Sequence, residues 1–300
     1  MKTLRQYIAE AQEKKIAIGH FNISNMEGVW AIVKAREVVS KEMGFEVPVI
    51  IGVSEGERDF FGTKEIASVV KSIRTSGAPV FLNADHTYSF ERVKEAIDAG
   101  YDAVIFDGTE LPFEENVKVA KQCVAYAKSK KPFFGDKVIV ESELGYIGKS
   151  SKVLEEVPEG ASISDESLVK PEQAKEFVEM TGVDMLAPAV GNIHGMFAKG
   201  KDPALNIVRV AEVSKATGGA PLVLHGASGN TDADVRSAIQ AGVTVVHVNT
   251  ELRVAFRNAL AETISANPKE VAPYKYLAPA RLAMQKVVEE KLRVFSTLAK

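Results

Sequence analysis

Short apolar runs recur along the chain: AIGHFN (17–22), VPVIIGVS (47–54), PVFLNADH (79–86), DAVIFDG (102–108), KVIVESELG (137–145), DMLAPAV (184–190), PLVLHG (221–226) and TVVHVNT (244–250). Their length and β-branched content predict strands. Between them, apolar residues fall at i, i+3, i+4 spacing, as at Leu252, Ala255, Phe256, Ala259 and Leu260, which predicts amphipathic helices. Near-continuous apolar strands separated by helices form a parallel sheet covered on its faces. Eight such units predict a closed (β/α)8 TIM barrel of the α/β class. A doubly wound open sheet is the alternative, but it ordinarily uses fewer strands, and no GxGxxG follows the first one.

Three segments fall outside this repeat. Residues 3–14 predict a short helix capping the N-terminal mouth of the barrel. Residues 146–168 are polar and contain Gly and Ser; they are too long for a plain connection, and predict a mobile lid at the rim. Residues 277–300, with apolar Leu282, Val287 and Leu292, predict a further C-terminal helix docked on the barrel or on a neighbour. No linker interrupts the pattern, so residues 1–300 are expected to form a single domain.

The composition is that of a soluble enzyme. With 37 basic and 40 acidic side chains the net charge is -3, which gives no reason to expect a nucleic-acid surface, so an anionic substrate must be handled by local groups. No stretch approaches the roughly 18 apolar residues of a membrane span. The single Cys123 excludes an intrachain disulfide, fits a cytoplasmic protein and, at helical spacing from Ala120 and Ala127, is expected to be a buried small hydrophobe.

Candidate chemistry collects at the strand ends. Asn22, Ser54, Asp85, His86, Asp107, Glu141, Glu143, His194, His225, His247 and Asn249 all fall near the C-terminal ends of the predicted strands, the face where barrels carry their active sites. Local backbone partners account for one or two such groups, not for eleven. His86, His194 and His225 end three apolar runs and are expected to ligate one ion, with Zn²⁺ favoured by all-imidazole coordination. His20, before the end of its strand and without metal-type spacing, is expected to be structural. Asp85 precedes His86 by one residue, so both face the cavity only where the strand frays; a carboxylate there can carry protons for the bound substrate. Gly195 and Gly226 follow two of the ligands and allow close backbone approach. The runs HGASGN and HVNT follow the last two strands, where barrels commonly bind phosphate. A Lewis acid, a phosphate pocket and an acid/base carboxylate together suit a retro-aldol cleavage of a sugar phosphate. A lysine Schiff base is the other route to that chemistry, but no predicted strand ends in lysine.

The segments HFNISNMEG, LNADH, VIFDGT, VESELGYIG, GNIHGMF, LVLHGASG and VNTELRVAF, in this order, resemble the successive motifs of the class II, zinc-dependent fructose-bisphosphate and tagatose-bisphosphate aldolases. The resemblance implies that Asp85 moves the proton of the C4 hydroxyl and that His86, His194 and His225 hold the catalytic Zn²⁺. It also implies a second or alternate metal position at Asp107 and Glu143, and leaves room for a monovalent cation near the phosphate. Dihydroxyacetone phosphate would be held by Gly195, Gly226, Ala227, Ser228, His247, Val248, Asn249 and Thr250. Asn22 and Ser54 match positions lining the substrate site, and Arg253 matches an arginine associated with the far phosphate. Residues 146–168 match a loop that closes over substrate. The implied activity is reversible cleavage of fructose 1,6-bisphosphate to dihydroxyacetone phosphate and glyceraldehyde 3-phosphate, in glycolysis and gluconeogenesis, by a homodimer.

Two departures bear on the substrate. His247 stands where the family usually has asparagine in N-V-[ND]-T, so it either substitutes as a donor or changes the geometry. Tyr274, in APYKYLAPA, replaces the arginine of D-P-R-K-Y-L-G-P-A, a loss worth about 1–3 kcal/mol at the far phosphate. Lys149 replaces a second glycine in YIGKSS; it is expected to be a solvated loop lysine, the alternative being that it lends its charge to the substrate. Tagatose 1,6-bisphosphate or a ketose 1-phosphate are the alternative substrates. A metal hydrolase would ordinarily show an H-x-H pair on the first strand, but GHFN offers one histidine. A non-catalytic phosphosugar-binding barrel is opposed by the intact Asp85 and ligand histidines.

Overall fold

The computed structural model describes residues 2–133, 135, 137–148, 153–156, 161, 164–197 and 203–296. Helix α1 (Leu4–Lys14) leads into β1 (Ile18–Asn22), α2 (Met26–Met43), β2 (Val49–Val53), α3 (Glu55–Phe61), α4 (Thr63–Thr75), β3 (Val80–Thr87), α5 (Phe90–Asp98), β4 (Ala103–Phe106), α6 (Phe113–Lys128) and β5 (Ile139–Leu144). The chain continues through β6 (Val153–Leu154), α7 (Pro171–Thr181), β7 (Met185–Pro188), β8 (Met196–Phe197), α8 (Ile207–Ala216), β9 (Leu222–Leu224), α9 (Asp232–Ala241), β10 (Val243–Val248), α10 (Thr250–Ala266) and α11 (Pro273–Ser296). Eight parallel strands close in the order β1-β10-β9-β7-β5-β4-β3-β2, one for each apolar run of the sequence. The open-sheet alternative is thereby set aside.

Alternation along the strands sorts the barrel interior into layers. Ile18, Ile50, Phe81, Ala103, Ile139, Met185, Val223 and Val245 form an apolar plug toward the N-terminal mouth, and Leu4, Ile8 and Ala11 of α1 pack on it. These three recur at helical spacing, so one face of α1 is buried and the mouth is capped as predicted. Thr3 starts the helix: its Oγ1 accepts from Gln6 N–H (3.3 Å) while Gln6 Oε1 accepts from Thr3 N–H (2.8 Å). The largest cavity described, about 310 Å³, lies beside this helix among Tyr7, Ile16 and Phe45, at the mouth away from the polar strand ends.

At the other end of the chain, α11 begins at Pro273, four residues before the predicted start, because proline is tolerated in a helix's first turn. Its buried stripe is Ala280, Met284, Val288, Leu292 and Phe295; Leu282 points to solvent at 49% exposure. A short parallel pair, β6 with β8, was not legible in the sequence. β6 lies within the segment 146–168 expected to form a lid, several residues of which, Lys149 among them, lie outside the described residues.

Candidate active site

Above the apolar plug the same alternation turns polar residues inward. His20, Asn83, Asp85, Glu141, Glu143, His225 and His247 are all buried at the C-terminal end of the barrel. Room for His20 comes from Gly52 on the neighbouring strand: a Cβ there would stand 2.0 Å from His20 Cε1. Asp85 and His86 reach one cavity although they are consecutive. The strand does not fray; β3 runs on to Thr87, its register against β4 shifts between Ala84 and Thr87, and His86 adopts φ +35. Left-handed backbone at a non-glycine residue is costly. Here it places a carboxylate and an imidazole on the same side.

His194 is not at a strand end, contrary to the expectation of three strands delivering three ligands. β7 stops at Pro188, and His194 stands on the following loop, pinned by its N–H to Ile147 O (3.0 Å) and by Nδ1 to Gly148 O (2.5 Å). His86, His194 and His225 nevertheless present ring nitrogens that lie within 4.8 Å of one another. Two of the three tautomers are fixed from behind. With Nδ1 of His194 donating to a carbonyl, its Nε2 carries the lone pair. His225 Nε2 donates to Glu141 Oε1 (2.7 Å), leaving Nδ1 as the lone-pair nitrogen, buried and without a hydrogen-bond partner. Outer partners of this kind orient metal-ligating histidines. The electrostatics agree: burial alone would push His86 down, but Asp85, Glu143 and Asp107 hold it well above its ordinary range, so this cluster of acids demands a cation. Burial pushes His194 down to about 3, which keeps it a neutral, ligating imidazole. The donor set therefore fits a divalent ion of the zinc type.

Asp107 and Glu143 stand behind His86, with Asp107 Oδ2 and Glu143 Oε1 at 3.1 and 2.9 Å from its Nδ1, and the three could also hold an ion. His20, Asp85 and His247 are a further cluster, but its rings argue against a shared ion. His20 and His247 stack with centroids 3.5 Å apart and planes 3° from parallel. Their lone pairs lie in those planes, so an ion about 2.1 Å from each nitrogen would sit far out of both. The pair is instead a packed column, continued by His225 at 4.0 Å from His247. Sequence spacing set His20 apart from the site; the structure stacks it directly against a site residue.

Asp85 is the hub of the polar contacts. Its Oδ2 accepts from Asn22 Nδ2 (2.8 Å) and its Oδ1 lies 3.5 Å from His247 Nδ1. Burial pushes this carboxyl up, but the charge of His86 and the contact with His247 outweigh burial and hold it well below the usual carboxylate range. Asn22 also donates to Glu57 Oε2 (3.0 Å), and Glu57 is bound by Arg253. Sequence reasoning missed Glu57. Its only signal was S-x-x-E at residues 54–57, which marks a helix start and no more.

Asn22, Asp85, His86, His194, Gly195, His225, Gly226, Ser228, His247, Asn249 and Thr250 line one cleft. Ala227 and Val248 turn their side chains into the hydrophobic core, so only their backbones remain at the rim. Ser54 binds Glu57 through Oγ (2.9 Å), and Arg253 lines the adjoining cavity. The N-terminus of α10 opens at Thr250 into the cleft, a favourable end for an anion. Gly226 has φ +62, and a Cβ there would stand 2.2 Å from Ile193 O, in the backbone that carries His194. Gly226→Ala is therefore expected to destabilise the protein by about 1–3 kcal/mol and to lower zinc content; a melting curve and metal analysis check both.

The family described as fructose-bisphosphate aldolase class-II matches residues 2–300. A Geobacillus stearothermophilus protein named fructose-bisphosphate aldolase is 36% identical over 302 residues, covering 99% of this chain and 98% of its own. A Bacillus subtilis strain 168 protein named "Probable fructose-bisphosphate aldolase" is 38% identical over 299 residues, 98% of this chain and 97% of its own. Among solved structures, the YdjI aldolase of Escherichia coli K12 superposes with a TM-score of 0.78 at 30% identity, covering 98% of this chain and 96% of that one. With the fold, the histidine cluster and these full-length matches in agreement, the chain belongs to the class-II fructose-bisphosphate aldolases, a family of metal-dependent lyases.

Proposed function

We propose that this aldolase uses Zn²⁺, held by His86, His194 and His225, to cleave a ketose phosphate reversibly to dihydroxyacetone phosphate and an aldehyde, with fructose 1,6-bisphosphate as the leading substrate. The observation that carries this reading is Asp85 beside three imidazoles, two of them with tautomers set by Gly148 and Glu141. Held by His86, His194 and His225, such an ion would supply Lewis acidity for carbon–carbon bond cleavage. Asp85 removes the proton of the C4 hydroxyl, while Asn22 holds the carboxylate in place. Gly195, Gly226, Ser228, Asn249 and Thr250 surround the phosphate, backed by the α10 N-terminus. His247 takes the place of the family's asparagine and changes the geometry there: its Nδ1 faces Asp85 Oδ1 at 3.5 Å, and its buried Nε2 has no hydrogen-bond partner. Asp107 and Glu143 provide the alternate metal position. The segment 146–168, to which the family resemblance gives a closing role, lies in part outside the described residues, and its Ile147 and Gly148 hold His194 in place.

The working unit is a homodimer in the cytoplasm. Ile264, Val271, Tyr274 and Leu282 leave an exposed apolar surface on the α10–α11 hairpin that a second copy can cover. Among the described residues no helix is long and apolar enough to cross a membrane. A coupled assay for dihydroxyacetone phosphate with fructose 1,6-bisphosphate, tagatose 1,6-bisphosphate and fructose 1-phosphate tests the reaction. Release from fructose 1,6-bisphosphate is expected. Phosphate hydrolysis without aldol cleavage would replace this reading with a metal hydrolase.

A further inference from the structure

Glu57 is a buried acid that the proposed chemistry leaves unused. It lies in the first turn of α3 at 6% exposure, yet its carboxylate gathers five donors. Oε2 accepts from Ser54 N (2.8 Å), Ser54 Oγ (2.9 Å) and Asn22 Nδ2 (3.0 Å). Oε1 accepts from Ser24 Oγ (3.2 Å) and from Arg253 Nη2 (2.5 Å). A carboxylate offers about four lone-pair positions, so this one is saturated. Arg253, its side chain 42% exposed, lines a cavity of about 240 Å³ together with Ser24, Asn25, Phe256 and Met284. Asn22 borders both this cavity and the histidine cleft, so the cavity lies where a substrate bound at the cleft would extend its far end. Among the described residues that line it, Arg253 is the one charged side chain, and Glu57 already holds it.

We infer that Glu57 is a specificity-determining residue at this distal end: by holding Arg253 it weakens the grip on a second phosphate, so that a bisphosphate gains less over a ketose 1-phosphate than a free arginine would give it. The inference rests on the aldol-cleavage reading and adds how strongly that site discriminates between a bisphosphate and a monophosphate. A distal phosphate must displace one anion from Arg253 and then remain beside it. Hydroxyls can bond to Ser24, Asn25 and Asn22 with no such exchange, and like-charge opposition of this kind is a common device of discrimination.

The test is calorimetric titration of the zinc-loaded full chain with fructose 1,6-bisphosphate and with fructose 1-phosphate. Glu57→Gln keeps an amide oxygen for Ser54 and Asn22 while removing the charge. It is expected to bind the bisphosphate about tenfold more tightly, with the affinity for the monophosphate unchanged. Arg253→Met, at a half-exposed side chain that does not endanger the fold, should cost the parent protein little bisphosphate affinity and should erase the gain in the double variant. Equal shifts for both ligands in Glu57→Gln, or a tenfold loss of bisphosphate affinity in Arg253→Met alone, would overturn the inference. Binding of neither sugar phosphate defeats both it and the aldolase reading. Binding without release of dihydroxyacetone phosphate defeats only the latter, and the affinities still decide the role of Glu57.

Discussion

Asp85→Ala is expected to reduce kcat about a thousandfold, within the span typical of a lost general base, while the protein keeps its zinc. The carboxylate is 1% exposed, fixed by Asn22 on one oxygen and facing His247 with the other. Because neighbouring positive charge holds it well below the usual carboxylate range, it is present as the base throughout neutral pH. The acids around it are engaged elsewhere: Glu57 is saturated by its own donors, Glu141 is committed to His225, and Asp107 and Glu143 face Nδ1 of His86. Metal analysis beside steady-state kinetics separates this role from a merely structural one. Turnover within tenfold of the parent, at full zinc occupancy, would remove Asp85 from the mechanism.

Chelation is expected to abolish turnover altogether, and Zn²⁺ to restore it. Once the ion leaves, His86 and His225, both held above their ordinary range by neighbouring acids, carry a proton in its place, and an imidazolium is a far weaker electrophile than a divalent ion. Burial pushes His194 down to about 3, while burial together with His20 and His225 holds His247 well below its ordinary range, so neither is a cation at neutral pH. Arg253 is held by Glu57, and among the described residues no lysine lines the cleft. Since the ion binds the folded chain through groups scattered over the sequence, its removal should also lower thermal stability, by about 2.7 kcal/mol relative to zinc at a hundred times its Kd. Melting curves with and without chelator read that shift. Undiminished activity in protein shown to be free of metal would end the zinc reading.

Much of this was legible in the chain, for identifiable reasons. A parallel strand buried on both faces is a nearly continuous apolar run, so the eight barrel strands stand out, whereas β6 and β8 are two residues each and carry no periodicity. The residues of the cleft were visible because a polar group that ends such a run is carried to the barrel's rim, where burial without a purpose is costly. His194 was found for a reason that proved incomplete. Its apolar run continues past Pro188 into a buried loop, where the chain is held by contacts with Ile147 and Gly148 rather than by a ladder. The convergence of Asp85 and His86 depends on a backbone angle that no residue type announces. Glu57 was hidden by its own local sense: a glutamate three residues after a serine accounts fully for a helix start, and its contacts with Asn22 and Arg253 bridge 35 and 196 residues of sequence.

The column of His20, His247 and His225 limits how this site can drift. Gly52 leaves the space that the His20 ring fills, and that ring is in turn the floor on which His247 lies. Exchanging His247 for the smaller asparagine alone would expose the face of a buried imidazole to a void, and enlarging Gly52 alone would drive a side chain into it. Three positions on three neighbouring strands, β10, β1 and β2, are thus coupled through their packing. His247→Asn is therefore expected to cost more stability alone than in company with a change at His20, a difference that melting curves of the single and double variants read.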